Sequence, residues 1–102
     1  MIDLNDVHNI EGEADSPEEY YMSIQRAINS GSAWSFQGSY GRAMMDAIRA
    51  GKCMLGPMSA DDYYGNYIPS RAQVKAGTEG SMEFVVKHSG AEWAAMMVKV
   101  QS

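Results

Sequence analysis

Two segments of this 102-residue chain repeat apolar residues at spacings of three and four and are then closed by a glycine, a pattern that selects short packed helices. In the first, Ser16-Pro17-Glu18-Glu19 supplies a capping hydroxyl, a proline where a missing N–H costs nothing, and acids in the positive first turn. Tyr20, Tyr21, Ile24, Ala27 and Ile28 follow, and Gly31 is suited to the left-handed residue that ends a helix. In the second, Ser39 is placed to cap a helix with Tyr40, Ala43, Met44, Ala47 and Ile48 on one face and Gly51 as its stop. At an offset of twenty residues Tyr20 to Gly31 falls on Tyr40 to Gly51; a duplication gives this correspondence, and so do any two amphipathic helices closed by glycine.

The remaining segments are shorter. Ser32 to Gly38 is rich in small residues yet holds Trp34 and Phe36, and reads as a loop or short strand folded onto the core. Lys52 to Pro57 reads as a brief strand or an extended segment crossing the core edge. Asp61 to Pro69 is an ordered loop with a turn at Gly65-Asn66, and Ser70 is placed to cap a short helical turn through Arg71. Met82 to His88 and the stretch from Ala91 read as two helices separated at Gly90, the alternative being a β-hairpin of residues 82–88 and 93–100 joined through Ser89-Gly90; Ala91, Ala94 and Ala95 favour helix, whereas Phe84, Val85 and Val86 favour strand. The expected fold is a mainly α, compact small helical domain with a short β segment, the alternative being α+β with a C-terminal hairpin.

Charge divides the chain differently. Residues 1–19 hold seven of the thirteen acids and no Lys or Arg, whereas the rest carries six acids against eight basic residues. An acidic, partly ordered arm over residues 1–15, with Gly12 interrupting its apolar pattern, followed by one compact domain over 16–102, is the expected organisation. A hydrophobic share of 45% is enough for one core. The net charge of -5 opposes direct nucleic-acid binding, because such proteins neutralise phosphates with a basic stripe. Acids stand where a signal peptide needs positive charge, and no apolar run is long enough to span a bilayer, so a cytoplasmic protein without a membrane partner is expected.

Sequence chemistry points to binding and not to catalysis. The lone Cys53 has no Cys/His motif beside it and reads as a buried structural thiol; no nucleophile, base and oriented partner are assembled, and neither a cofactor nor a metal is called for. Met44, Met45, Met96 and Met97 read as core filler. Tyr63, Tyr64 and Tyr67 stud an acidic loop beside Asp61 and Asp62, and tyrosines provide large contact area at modest entropy cost. These five residues, with Asp3, Asp6, Glu11 and Glu13 of the arm, are the candidate contacts to a protein with a basic surface; a homodimer is also compatible with the pattern. The competing assignment is a small-ligand or anion-binding module, such as one for nucleotides, with Ser39 at a helix entry and Arg42 and Arg71 as charged clamps.

The segments Trp34-Ser35-Phe36-Gln37-Gly38-Ser39-Tyr40-Gly41-Arg42-Ala43-Met44-Met45-Asp46-Ala47-Ile48, Gly51-Lys52-Cys53-Met54-Leu55-Gly56 and Asp62-Tyr63-Tyr64-Gly65-Asn66-Tyr67-Ile68-Pro69-Ser70-Arg71 resemble small uncharacterised proteins of bacteriophages and prophages. The likeness spans residues 32–98 and transfers no functional residue. It implies a genomic setting in which small proteins often act by binding host proteins. The expectation is an accessory protein of that type, an acidic inhibitor or modulator of a host protein, with an anion-binding module and a structural virion component as alternatives.

Overall fold

A computed structural model describes residues 4–36 and 39–100, apart from the side chains of Asn5, Glu13 and Ser39. It contains five α-helices and one two-stranded sheet among the described residues, so the chain is mainly α with a short β segment. Helix α1 spans Leu4–His8 and runs into a wide π-type turn, Asn9–Glu13, that Gly12 breaks at φ 103°. Helix α2, Pro17–Ser30, starts as its sequence dictates, with Ser16 Oγ accepting the Glu19 amide at 3.2 Å. A 3₁₀ turn, Ser32–Ser35, folds Trp34 inward, where a loop or strand was expected. Helix α3 spans Ser39–Arg49.

Strands β1, Ala60–Asp61, and β2, Tyr67–Ile68, pair antiparallel with Ala60 opposite Ile68 and Asp61 opposite Tyr67. A 3₁₀ turn follows at Arg71–Gln73, with Gln73 Oε1 accepting the Ser70 amide at 2.8 Å. Helices α4, Met82–Ser89, and α5, Ala91–Lys99, end the described chain. The C-terminal hairpin is therefore not formed. Ser81 caps α4 by accepting the Phe84 amide, and Gly90, at φ 96°, turns the chain directly into α5.

The core joins Ile24, Ala27 and Ile28 of α2 to Met44, Ala47 and Ile48 of α3, with Trp34, Met54, Val85 and Met97. The residues that correspond at the twenty-residue offset are thus the ones each helix buries. Through the middle runs the extended segment Lys52 to Gly56, which has no strand neighbour and yet is buried from Cys53 to Gly56. Buried backbone groups need partners, and here other elements supply them. Gln25, fully buried, receives the Met54 amide on Oε1 at 2.8 Å and donates from Nε2 to the Met54 carbonyl at 2.9 Å. Trp93 Nε1 donates to Lys52 O, the Leu55 amide donates to Gly80 O, and Arg71 Nε donates to Leu55 O. At Gly56 an added Cβ would lie 3.0 Å from Ile28 O and 3.2 Å from Asn29 Cα, so a side chain there would push this segment a few tenths of an ångström off α2.

Within the segment expected to form an acidic, partly ordered arm, the described residues from Leu4 onward lie against α2. Asp6 is buried, accepts Ser23 Oγ at 2.9 Å and pairs with Arg26; Asn9 Nδ2 donates to the same Ser23 hydroxyl at 3.0 Å. This polar network bolts α1 to one face of α2.

Replacing Gln25 with Met keeps the volume but strands both Met54 backbone groups, and urea unfolding should show a loss of about 2–6 kcal/mol, since each unpaired buried group costs roughly 1–3 kcal/mol. Cys53 is fully buried, and burial pushes its thiol far above the usual range. A thiol reagent such as DTNB should leave it unmodified in native protein and label it only on unfolding.

Candidate functional site

An open groove of about 480 Å³ lies between α3, the first 3₁₀ turn and the β-hairpin. Helix periodicity builds one wall: Arg42, Met45, Asp46 and Arg49 occupy positions i, i+3, i+4 and i+7 of α3, opposite the face that buries Met44, Ala47 and Ile48. Trp34 and Phe36 form the second wall, the indole buried and the phenyl ring exposed and packed edge-on against Tyr40 at 5.5 Å. Asp62, Tyr63, Tyr64 and Ile68 of the hairpin complete it.

The hairpin tip is held by one carboxylate. Asp62 Oδ1 accepts the amides of Tyr64 at 2.9 Å and Asn66 at 2.8 Å, Oδ2 accepts Asn66 Nδ2 at 3.2 Å, and the Asp62 amide returns to Asn66 O. Gly65 takes φ 83° to close the turn. The hydrogen bonds from Asn66 first, and then from Tyr64 and Gly65, hold the Asp62 carboxyl below the usual range. With the backbone fixed, the rings project: Tyr63 is 50%, Tyr64 76% and Tyr67 58% exposed. Tyr63 and Tyr64 meet edge to face at 5.0 Å, and the Tyr67 hydroxyl donates to Gln73 Oε1 at 2.9 Å.

Of the residues expected to contact a protein partner, Asp61, Asp62, Tyr63, Tyr64 and Tyr67 share this hairpin. Asp6 does not belong to the surface, since it is buried against α2 by its network with Ser23 and Arg26. Glu11 is exposed on the N-terminal turn, Glu13 is described only in its backbone, and Asp3 lies outside the described residues. Of the expected anion clamps, Arg42 lines the groove, whereas Arg71 is half-buried, ties its guanidinium to Leu55 O at 2.8 Å and does not reach the groove lining. Burial lowers the Arg71 pKa, as expected for a cation taken from water. Ser39 opens α3, with its side chain outside the described residues.

Arg49 is the groove cation that sequence reasoning missed. Its separation of seven residues from Arg42 on a recognised helix is the signal that places both on one stripe. Among the described residues neither guanidinium is in an ion pair. No group of three or more His, Cys, Asp or Glu among the described residues is arranged to hold a metal ion. The groove offers aromatic faces, phenolic hydroxyls and guanidinium donors, chemistry suited to holding a planar or charged group. No described helix is long and apolar enough to cross a membrane. Compared with known proteins, the chain matches no family model, no curated protein and no solved structure.

Because the folded pKa of Asp62 is depressed, its contribution to the turn is complete above the ordinary value of about 3.9 and is lost as pH falls through the folded value. An NMR titration should therefore show the Tyr64 and Asn66 amides moving toward their solvated shifts only in that acidic window, and Asp62→Ala should place them there at neutral pH.

Proposed function

We propose that this chain is a protein-binding module whose contact surface is the tyrosine hairpin. The observation that carries this reading is the exposure of Tyr63, Tyr64 and Tyr67 on a backbone that Asp62 holds in one shape. Contiguous exposed aromatic faces mark interaction surfaces where singly scattered ones do not, and rigid presentation lowers the entropy lost on binding. Tyrosine is also among the residues that dominate measured interface energies. The exposed Asp61 and the net charge of -5 favour a partner with a basic surface, approached by long-range attraction that salt screens. In the phage-type setting implied by the sequence resemblance, that partner is a host protein and the chain is an accessory modulator of it.

A second reading, anion binding, draws support from Arg42 and Arg49 sharing the aromatic groove without ion-pair partners among the described residues. In that case Arg49 takes the clamping role expected of Arg71. A nucleotide-induced thermal shift that disappears in both Arg42→Ala and Arg49→Ala would favour it over the protein-binding reading.

The deciding experiment is affinity capture from bacterial lysate at low and high salt, followed by titration of the retained partner against wild type and a Tyr63→Ala/Tyr64→Ala variant. One stoichiometric partner is expected, and the variant should weaken it by about 2 kcal/mol or more, roughly thirtyfold. Equal affinity of the two proteins would remove the hairpin from the interface.

A further inference from the structure

A second groove, of about 710 Å³ and sharing no lining residue with the first, runs between α2 and α5. Its α5 wall is the stripe Glu92, Ala95, Met96 and Lys99, at positions i, i+3, i+4 and i+7, and Met22 and Arg26 of α2 line the opposite side. This stripe faces away from Ala94 and Met97, which α5 buries in the core. Ala95 is exposed, Met96 is half-buried, and the neighbouring Val98 is 44% exposed.

The order of residues along the stripe is self-complementary. Glu92 and Lys99 lie seven positions apart, about 10.5 Å along the helix axis, too far to pair with each other directly. Among the described residues neither is in an ion pair. The midpoint between them falls between Ala95 and Met96. A two-fold axis through that midpoint therefore sets Glu92 opposite Lys99 of a second copy at both ends, and the small Ala95 opposite the large Met96 in the middle. A parallel pairing would oppose Glu92 to Glu92 and Lys99 to Lys99, which like-charge repulsion disfavours.

We propose that α5 is a self-association surface and that its occupant is α5 of a second copy, packed antiparallel about this axis. The contact is isologous, so it closes as a dimer and does not propagate. One nine-residue helix with Met22 at its flank makes a small interface, which places the dimer in the weak, reversible class and leaves the tyrosine hairpin available to a different partner.

Glu92 in the first turn and Lys99 in the last turn also suit the helix dipole, and the test separates the two roles. Sedimentation equilibrium over a rising concentration series should show the wild-type mass climbing above 11.2 kDa. Glu92→Lys or Lys99→Glu alone should weaken association at least about tenfold, because each opposes like charges twice across the axis. The double variant Glu92→Lys/Lys99→Glu should restore it, whereas a dipole role alone would make the double variant the poorest of the three. Ala95→Cys, close to the axis, should form a disulfide-linked dimer under mild oxidation, with the buried Cys53 taking no part. A wild-type protein that stays at monomer mass throughout the series, or a double variant that fails to recover association, would overturn the proposal.

Discussion

The pairing of Gln25 with the backbone of Met54 is the interaction on which the arrangement of the helices depends. An extended segment inside a helical domain has no ladder to satisfy it, and each unpaired amide or carbonyl there would cost roughly 1–3 kcal/mol out of the roughly 5–15 kcal/mol that holds a domain folded. The Gln25 amide meets both groups of Met54 in the way a neighbouring strand would, and it reaches further by donating to Asn29, whose own amide donates to Val100 O. Helix α2 is thereby tied to the centre and to the end of α5 through one chain of hydrogen bonds.

The rest of the molecule is arranged around that segment. Ser89 and Trp93 bring the α4–α5 pair onto Gly51 and Lys52, while Arg71 closes the segment's far end at Leu55 and Gly56. The chain between these anchors turns outward at Pro57 and is buried again at Ser70, and the β-hairpin lies in that excursion with Ala60 and Ile68 resting on the core's edge. Its position comes from the anchors, but its shape comes from within, through Asp62 and a sheet only two residues long on each side. A locally determined hairpin on a well-anchored base keeps its aromatic side chains at the surface without drawing them into the core. The two exposed helix stripes, Arg42 to Arg49 and Glu92 to Lys99, occur on helices whose other faces are consumed by this same core.

Much of this was legible along the chain wherever one residue's chemistry acts within a few positions. Ser16 with Pro17, Ser81, Gly51 and Gly90 mark helix ends because capping and left-handed geometry are local requirements, and Gly65-Asn66 marks the hairpin turn for the same reason. Tyr63, Tyr64 and Tyr67 were recognisable as a group because they are close in sequence, although the segment reads as an ordered loop and the pairing of β1 with β2 makes it a hairpin. Asp6, Arg71 and Gln25 were not legible in their actual roles. Each is a polar residue in polar or amphipathic surroundings, and nothing nearby distinguishes a solvated carboxylate or guanidinium from one that holds two elements together.

The sequence by itself determined where α2 and α3 stop, which face of each is apolar, and that an acid- and tyrosine-rich turn follows them, since all of these follow from interactions spanning a turn or two; α1 and the choice of helices over a hairpin at the C-terminus were left to packing. Only the tertiary structure decided which polar groups are buried and paired. Asp6 meets Arg26 twenty residues away, Gln25 meets Met54 at a separation of 29, and Arg71 reaches Asn29 at 42. Burial of a charge or an amide is decided by what arrives from elsewhere to satisfy it, and that arrival is a property of the packed chain.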